Sequence, residues 1–189
     1  IRWVLFASLA NGVSKSKHLL MSEDVLAAIN AIKKLGIKVK FTKDVCEISG
    51  MGIDGYKYKK NLTINAENSG TLGRLILGLL INTPFPIRLI GDKSLSKRDF
   101  KRISDPLSIF GANFKLTNNK NLPLKIHGSP KLRPIKYIET RGSAQCKSAV
   151  MLASLNAPGI TKIKAKKSRN HTENFFKNLN IPIKIKKNK

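Results

Sequence analysis

The 189 residues hold 36 Lys and Arg against 11 Asp and Glu, a formal net charge of +25, with 41% hydrophobic but only 6% aromatic residues. This argues against a disordered chain and predicts an aliphatic core. No apolar run approaches the roughly 20 residues of a membrane span, and no basic-then-apolar leader with a small-residue cleavage site is visible, so a cytoplasmic protein with no membrane partner is expected.

The positive excess admits three readings: phosphate neutralisation in a nucleic-acid binder, a site that concentrates small anions, or a compositional bias towards Lys, Asn and Ile. The lysines are scattered through every segment, which weakens the first. Cys46 and Cys146 lack metal-ligand spacing and read as reduced thiols.

In chain order, Ile1-Arg2 runs at once into the apolar stretch Trp3-Val4-Leu5-Phe6, which reads as the inside of a helix and suggests a piece of a longer protein. This helix, through Leu9, is expected to end in a turn at Ala10-Asn11-Gly12. Ser22 before Glu23 and Asp24 marks a second helix start, and Val25, Ile29, Ile32 and Leu35 follow at helical spacing. Strands are predicted at Gly36–Val39 and Val45–Ile48. Asn68-Ser69-Gly70-Thr71 opens an apolar helix over Leu72–Ile81 that stops at Thr83-Pro84.

Gly91-Asp92-Lys93-Ser94-Leu95-Ser96-Lys97-Arg98 leads into a helix carrying Phe100, Ile103, Leu107 and Phe110. Strands at Gly111–Phe114 and Leu122–Ile126 come next. Gly142-Ser143-Ala144-Gln145 stands at the mouth of a helix whose Val150–Leu155 echoes Val4–Leu9, with a turn at Asn156–Gly159. Ser168-Arg169-Asn170-His171 precedes a last helix with Phe175, Phe176 and Leu179. Asn170 and Glu173 have capping-box spacing there. A strand is predicted at Asn180–Ile183. Gly36, Gly111 and Asn180 suit the left-handed residue that closes a helix.

The order helix, strand, helix, strand, strand thus recurs three times, about every 70 residues. No linker separates the copies. An α+β fold is expected, one domain over 1–189 with repeats at about 1–60, 61–130 and 131–189. The helices of Val4, Leu75 and Val150 would pack around a pseudo-threefold axis with the sheets outside.

Three junctions carry candidate chemistry. The 68–71 junction, with Arg74 beyond it, could receive an anion at a helix N-terminus or be an ordinary N-cap. Lys93, Lys97 and Arg98 could grip a phosphate or carboxylate or form a solvated basic turn. The third is Gly142–Gln145 at the mouth of the third inner helix, with Ser168–His171 in the corresponding turn before the third outer helix, where His171 reads as a helix-start residue. None of the three histidines has a visible triad or metal partner; neither a metal nor a cofactor is expected.

Together these residues resemble the enolpyruvyl transferase family, in its branch acting on shikimate 3-phosphate. Asn68-Ser69-Gly70-Thr71 with Arg74 is similar to the family's N-[AS]-G-T-x-x-R stretch, and Gly91–Arg98 to its G-D-x-S-L-x-x-R segment. Leu20-Met21-Ser22-Glu23-Asp24-Val25 resembles its S-x-D stretch. Ser143-Ala144-Gln145 with Lys147-Ser148 resembles S-A-Q-x-K-S, and Ser168-Arg169-Asn170-His171-Thr172-Glu173 resembles S-R-D-H-T-E. The resemblance covers essentially the whole chain.

It implies one half of a two-domain enzyme, each half of three βαβαββ units, monomeric when full length. The implied reaction joins phosphoenolpyruvate to the 5-hydroxyl of shikimate 3-phosphate without a metal. Arg2, Ser143, Ala144, Gln145, Ser168 and Arg169 would contact shikimate 3-phosphate. Gly70, Arg98 and Gln145 would hold phosphoenolpyruvate, with Asn68 and Thr71 shaping its loop. The proton-transfer groups are expected in the other domain, so this chain alone is expected to be inactive. Two departures stand out: no Lys-Ser precedes Arg2, and Asn170 stands where the family has Asp. Among rivals, the transferase acting on UDP-N-acetylglucosamine typically has a Cys in the segment matching 91–98, absent here. An RNA-binding module would need exposed aromatics among the lysines, but Tyr56, Tyr58 and Tyr137 are dispersed.

Overall fold

The structure is a computed structural model that describes residues 1–186. The end of the third predicted repeat, 187–189, lies outside the described residues.

The elements are α1 (Arg2–Leu9), β1 (Asn11–Lys17), α2 (Glu23–Lys34), β2 (Lys38–Thr42), β3 (Val45–Met51), β4 (Thr63–Asn65), α3 (Gly70–Leu79) and β5 (Ile87–Ile90). Then come α4 (Lys93–Ser96), α5 (Lys101–Phe110), β6 (Asn113–Thr117), β7 (Asn121–His127), β8 (Lys136–Glu139), α6 (Ala144–Ser154), β9 (Lys162–Ala165) and α7 (His171–Asn178).

The apolar helices are the buried ones. Val4 and Leu5 of α1, Leu72, Leu75, Ile76 and Leu77 of α3, and Ala149, Val150 and Leu152 of α6 are all inaccessible. The amphipathic α2 and α5 turn Ile29, Ile32, Ile103 and Leu107 inward. In β3 and β7 the inner set is Cys46, Ile48, Leu122, Leu124 and Ile126, while Lys125 and His127 face outward, the alternation of a half-buried strand. The core is aliphatic, as the composition predicts.

Pairing repeats itself. β4 and β5 are parallel, joined by α3, and β5 continues antiparallel to β7 and β7 to β6, giving the order β4-β5-β7-β6. The order β1-β3-β2 reproduces the antiparallel part. The parallel pair β8-β9, joined by α6, reproduces the other part.

Helices α3 and α6 touch through their backbones. A Cβ on Gly78 would stand 2.3 Å from the Ala149 carbonyl oxygen. At the other end Gln145 bonds Thr71, so the two helices run side by side in the same direction.

Local expectations meet several corrections. Gly36, Gly111 and Asn180 do adopt positive φ at helix ends. The turn expected over Ala10–Gly12 shrinks to Ala10, because Asn11 and Gly12 already pair with Met51 and Gly50. Lys93–Arg98 does not run straight into α5 but forms the separate turn α4, capped by Asp92 Oδ1 accepting from the Leu95 N–H at 2.6 Å. Ser22 and Asn170 are N-caps by position only, without side-chain cap bonds. Glu173 is drawn away from a capping box by Lys147. Asn180–Ile183 forms no strand. The Ile181 N–H turns back to the Phe176 carbonyl at 2.8 Å, and Pro182 has no N–H for a ladder.

Candidate active site

At the start of α3, the Ser69 hydroxyl accepts from the Leu72 N–H at 3.3 Å. Asn68 donates its amide to Asp92 at 2.7 Å, tying this turn to the one that begins α4. Gly70 lies beneath two guanidinium groups: a Cβ there would stand 2.9 Å from Nη1 of both Arg74 and Arg98. Arg74 rests over the Phe100 ring, 5.4 Å from its centroid. Burial lowers the Arg74 pKa from its ordinary value, and the Arg98 and Arg102 charges press the same way against Cys146 and Asp99. Arg98 is exposed and makes no ion pair among the described residues.

Gln145, in the first turn of α6, reaches this cluster. Arg74 Nη1 donates to Gln145 Oε1 at 2.6 Å, and Gln145 Nε2 donates to Thr71 Oγ1 at 3.0 Å. Ser143 caps α6 by accepting from the Cys146 N–H at 3.2 Å. The N–H groups of Arg141 and Ser143 are taken by the buried Glu139 carboxylate at 3.1 and 2.8 Å. That carboxylate occupies donors an anion might otherwise use. Ala144 is half-buried in the first turn of α6.

The start of α7 brings in Arg2. Its Nε donates to Thr172 Oγ1 at 3.2 Å, and Thr172 donates onward to Ser148 at 2.7 Å. Burial lowers the Arg2 pKa, the Arg169 charge adds to this, and Glu173 opposes it. Phe6 stacks on Phe175 at 4.8 Å between centroids, holding α1 against α7. Lys147 and Glu173 form a nearly buried ion pair at 2.5 Å. The Ser168 hydroxyl and Glu173 Oε2 are buried without a hydrogen-bond partner among the described residues.

A cleft of about 470 Å³ is lined by Arg2, Trp3, Ser22, Asp24, Thr71, His171 and Phe175, among others. A larger one, about 530 Å³, lies on the outer face of the β4-β5-β7-β6 sheet between Arg88, Lys115 and Lys125. It contains none of the residues singled out in the sequence, and an open sheet face with scattered lysines is the solvated surface expected of this composition. Among the described residues no three His, Cys, Asp or Glu side chains gather into a metal-binding group, and no helix is long and apolar enough to cross a membrane.

So Gly70, Thr71, Arg98 and Gln145 meet at the paired starts of α3 and α6, while Arg2 and Arg169 approach each other beside α7. Asn68 is spent on Asp92. The sequence pattern assigns no contact to Glu139, Ser148 or Thr172, and places Arg74 only beyond the 68–71 junction. An acidic residue closing a short segment four places before a helix cap was the available signal for Glu139.

The model of the EPSP synthase (3-phosphoshikimate 1-carboxyvinyltransferase) family matches residues 1–189. The chain belongs to the EPSP synthase family. It is 42% identical over 185 residues to the 3-phosphoshikimate 1-carboxyvinyltransferase of Caldicellulosiruptor bescii, covering 97% of this chain and 42% of that protein. It is 43% identical over 190 residues to that of Ruthia magnifica, covering 100% and 43%. Among solved structures, EPSP synthase from Acinetobacter baumannii superposes with a TM-score of 0.91 at 33% identity, over 98% of this chain and 42% of that one. The enolpyruvyl transferase NikO from Streptomyces tendae, 14% identical with a TM-score of 0.57 over 86% of this chain and 37% of that one, shares the fold alone. The chain spans well under half the length of the family members it matches.

Proposed function

We propose that this chain is the part of an EPSP synthase that holds shikimate 3-phosphate and one side of phosphoenolpyruvate. The observation that carries the reading is the convergence of Gly70, Arg74, Arg98 and Gln145, from three separate segments, at two parallel helix starts. Such a cluster of fixed donors and cations suits a small multivalent anion.

In this reading Arg98, Gln145 and the Gly70 turn hold phosphoenolpyruvate, with Asn68 and Thr71 setting the shape of that turn. Arg2, Ser143, Ala144, Gln145, Ser168 and Arg169 hold shikimate 3-phosphate. The 5-hydroxyl oxygen adds to C2 of phosphoenolpyruvate while the methylene carbon gains a proton. Loss of that carbon's proton and of phosphate then regenerates the double bond. This chain's cations stabilise the developing charge, while the proton-transfer groups come from the remainder of the full-length enzyme. The three repeats would surround a pseudo-threefold axis as half of a two-domain, monomeric, cytoplasmic enzyme that closes on its substrates.

Calorimetric titration of the chain tests this. Shikimate 3-phosphate should bind, and phosphoenolpyruvate more tightly in its presence. Tighter binding of UDP-N-acetylglucosamine, or of RNA at roughly physiological salt where phosphate contacts weaken, would replace this reading with a rival. No phosphate release is expected from the chain alone.

A further inference from the structure

The hydrogen-bond chain from Arg74 through Gln145 to Thr71 has a fixed direction. An amide side chain can ordinarily turn either end towards a neighbour. Here one end lies 2.6 Å from Arg74 Nη1. A guanidinium only donates, so that end must be the oxygen. The amide nitrogen is thereby forced towards Thr71, 3.0 Å away. With one lone pair engaged by the amide, the Thr71 hydroxyl keeps its own hydrogen to donate, and the second amide hydrogen makes no bond among the described residues. Thr71 lines the cleft shared with Arg2 and His171.

We infer that Arg74 is a positioning residue that sets the polarity of Gln145 and Thr71, so that both present hydrogens to an anionic ligand. The inference rests on the proposed placement of Gln145 and Thr71 in the substrate site. Arg74 itself is held by burial, by the Phe100 ring and by its own Gly70 carbonyl at 3.4 Å, and so need not touch the ligand. Without it, the Gln145 amide is free to flip. A flipped amide presents its oxygen to Thr71, consumes the hydroxyl hydrogen and turns lone pairs towards the anion.

The test uses the whole chain and titrates shikimate 3-phosphate, then phosphoenolpyruvate in its presence. Arg74→Met removes the donor and should weaken binding about tenfold to a hundredfold, the range for charge-assisted hydrogen bonds. Arg74→Lys keeps a donor-only group and should restore most of the affinity. In the Thr71→Val background the Arg74→Met loss should shrink, because the two act through one chain. The Gln145 side-chain amide protons, followed by NMR, should move in Arg74→Met and return in Arg74→Lys, whereas a merely structural role would show as a lower melting temperature without that pattern. If Gln145→Ala leaves both ligands unaffected, the site reading itself fails. If Gln145→Ala weakens binding while Arg74→Met does not, or the losses from Arg74→Met and Thr71→Val simply add, the polarity inference alone is overturned.

Discussion

Nη1 of Arg98 lies where it would be only 2.9 Å from a Cβ on Gly70, and the same holds for Arg74. The space above this glycine is filled by the ends of flexible cationic side chains rather than by backbone. Gly70→Ala should therefore fold normally, and Ala in a helix is intrinsically better than Gly by about 1 kcal/mol. The methyl group must still displace a guanidinium. We expect an unchanged or slightly raised melting temperature with about tenfold weaker phosphoenolpyruvate binding, the value of one charged hydrogen bond. Calorimetry beside thermal melting separates the two, and undiminished affinity would show that Arg98 lies outside the site.

Arg98→Lys keeps the charge but loses the planar fork. In the proposed site it should weaken phosphoenolpyruvate about tenfold to a hundredfold and shikimate 3-phosphate far less. A solvated basic turn predicts no change in either titration.

Gly78 gives the opposite kind of position. Its missing side chain is replaced by the Ala149 carbonyl, 2.3 Å from the Cβ site, and Leu152 Cβ at 3.2 Å. These atoms belong to a helix backbone and its root, so they cannot step aside. Gly78→Ala should destabilise by about 1–3 kcal/mol through overpacking, visible in urea unfolding. A melt equal to the parent would mean that α3 and α6 separate more easily than this contact implies.

Lys147 and Glu173, at 10% and 12% side-chain exposure, depend on each other. Replacing Glu173 with Gln leaves a nearly buried ammonium without its counter-charge and should cost about 3–5 kcal/mol. The double change Lys147→Met with Glu173→Leu should recover most of that loss. Failure to recover would indicate that the pair does more than neutralise itself.

Alkaline pH should weaken the fold. Burial raises Tyr137 to about 12, with Cys146 and Glu139 adding and Arg102 and Arg141 opposing. An unfolded tyrosine titrates near 10. The folded chain therefore keeps a proton that the unfolded chain loses, so stability is intact below about pH 10 and falls as pH rises towards 12. Tyr137 is half-exposed, so the effect is modest. Burial raises the Tyr56 hydroxyl as well. Unfolding midpoints measured across this range should fall less steeply for Tyr137→Phe, and parallel curves would remove Tyr137 from the cause.

Much of this was legible from the sequence where a local pattern decides the outcome. Period 3.6 marked α2 and α5, and positive-φ residues marked their ends. Apolar helices proved to be buried helices, and the family-like motifs hold Gly70, Arg98 and Gln145, which the fold brings together. The sequence could not show what side chains choose among competing partners. Glu173 has capping-box spacing but goes to Lys147 across 26 residues, because a buried ammonium is a stronger partner than a local N–H. Asp92 lies in a basic stretch of the sequence, yet it joins two turns through Asn68. The strand expected at 180–183 failed because a strand needs a neighbour, which alternation along one segment cannot reveal.

The same-direction packing of α3 and α6 bears on how the chain should be handled in solution. Antiparallel helices cancel one another's dipoles, but this pair adds them, so two ends each worth about half a positive charge stand together near Arg74 and Arg98. Any anion captured there is coupled to folding by mass action, adding about 2.7 kcal/mol at a concentration of 100 times its dissociation constant. The choice of buffer salt thus becomes a determinant of fold stability. In phosphate the chain should melt higher than in chloride of equal ionic strength, and Arg98→Ala should narrow that gap.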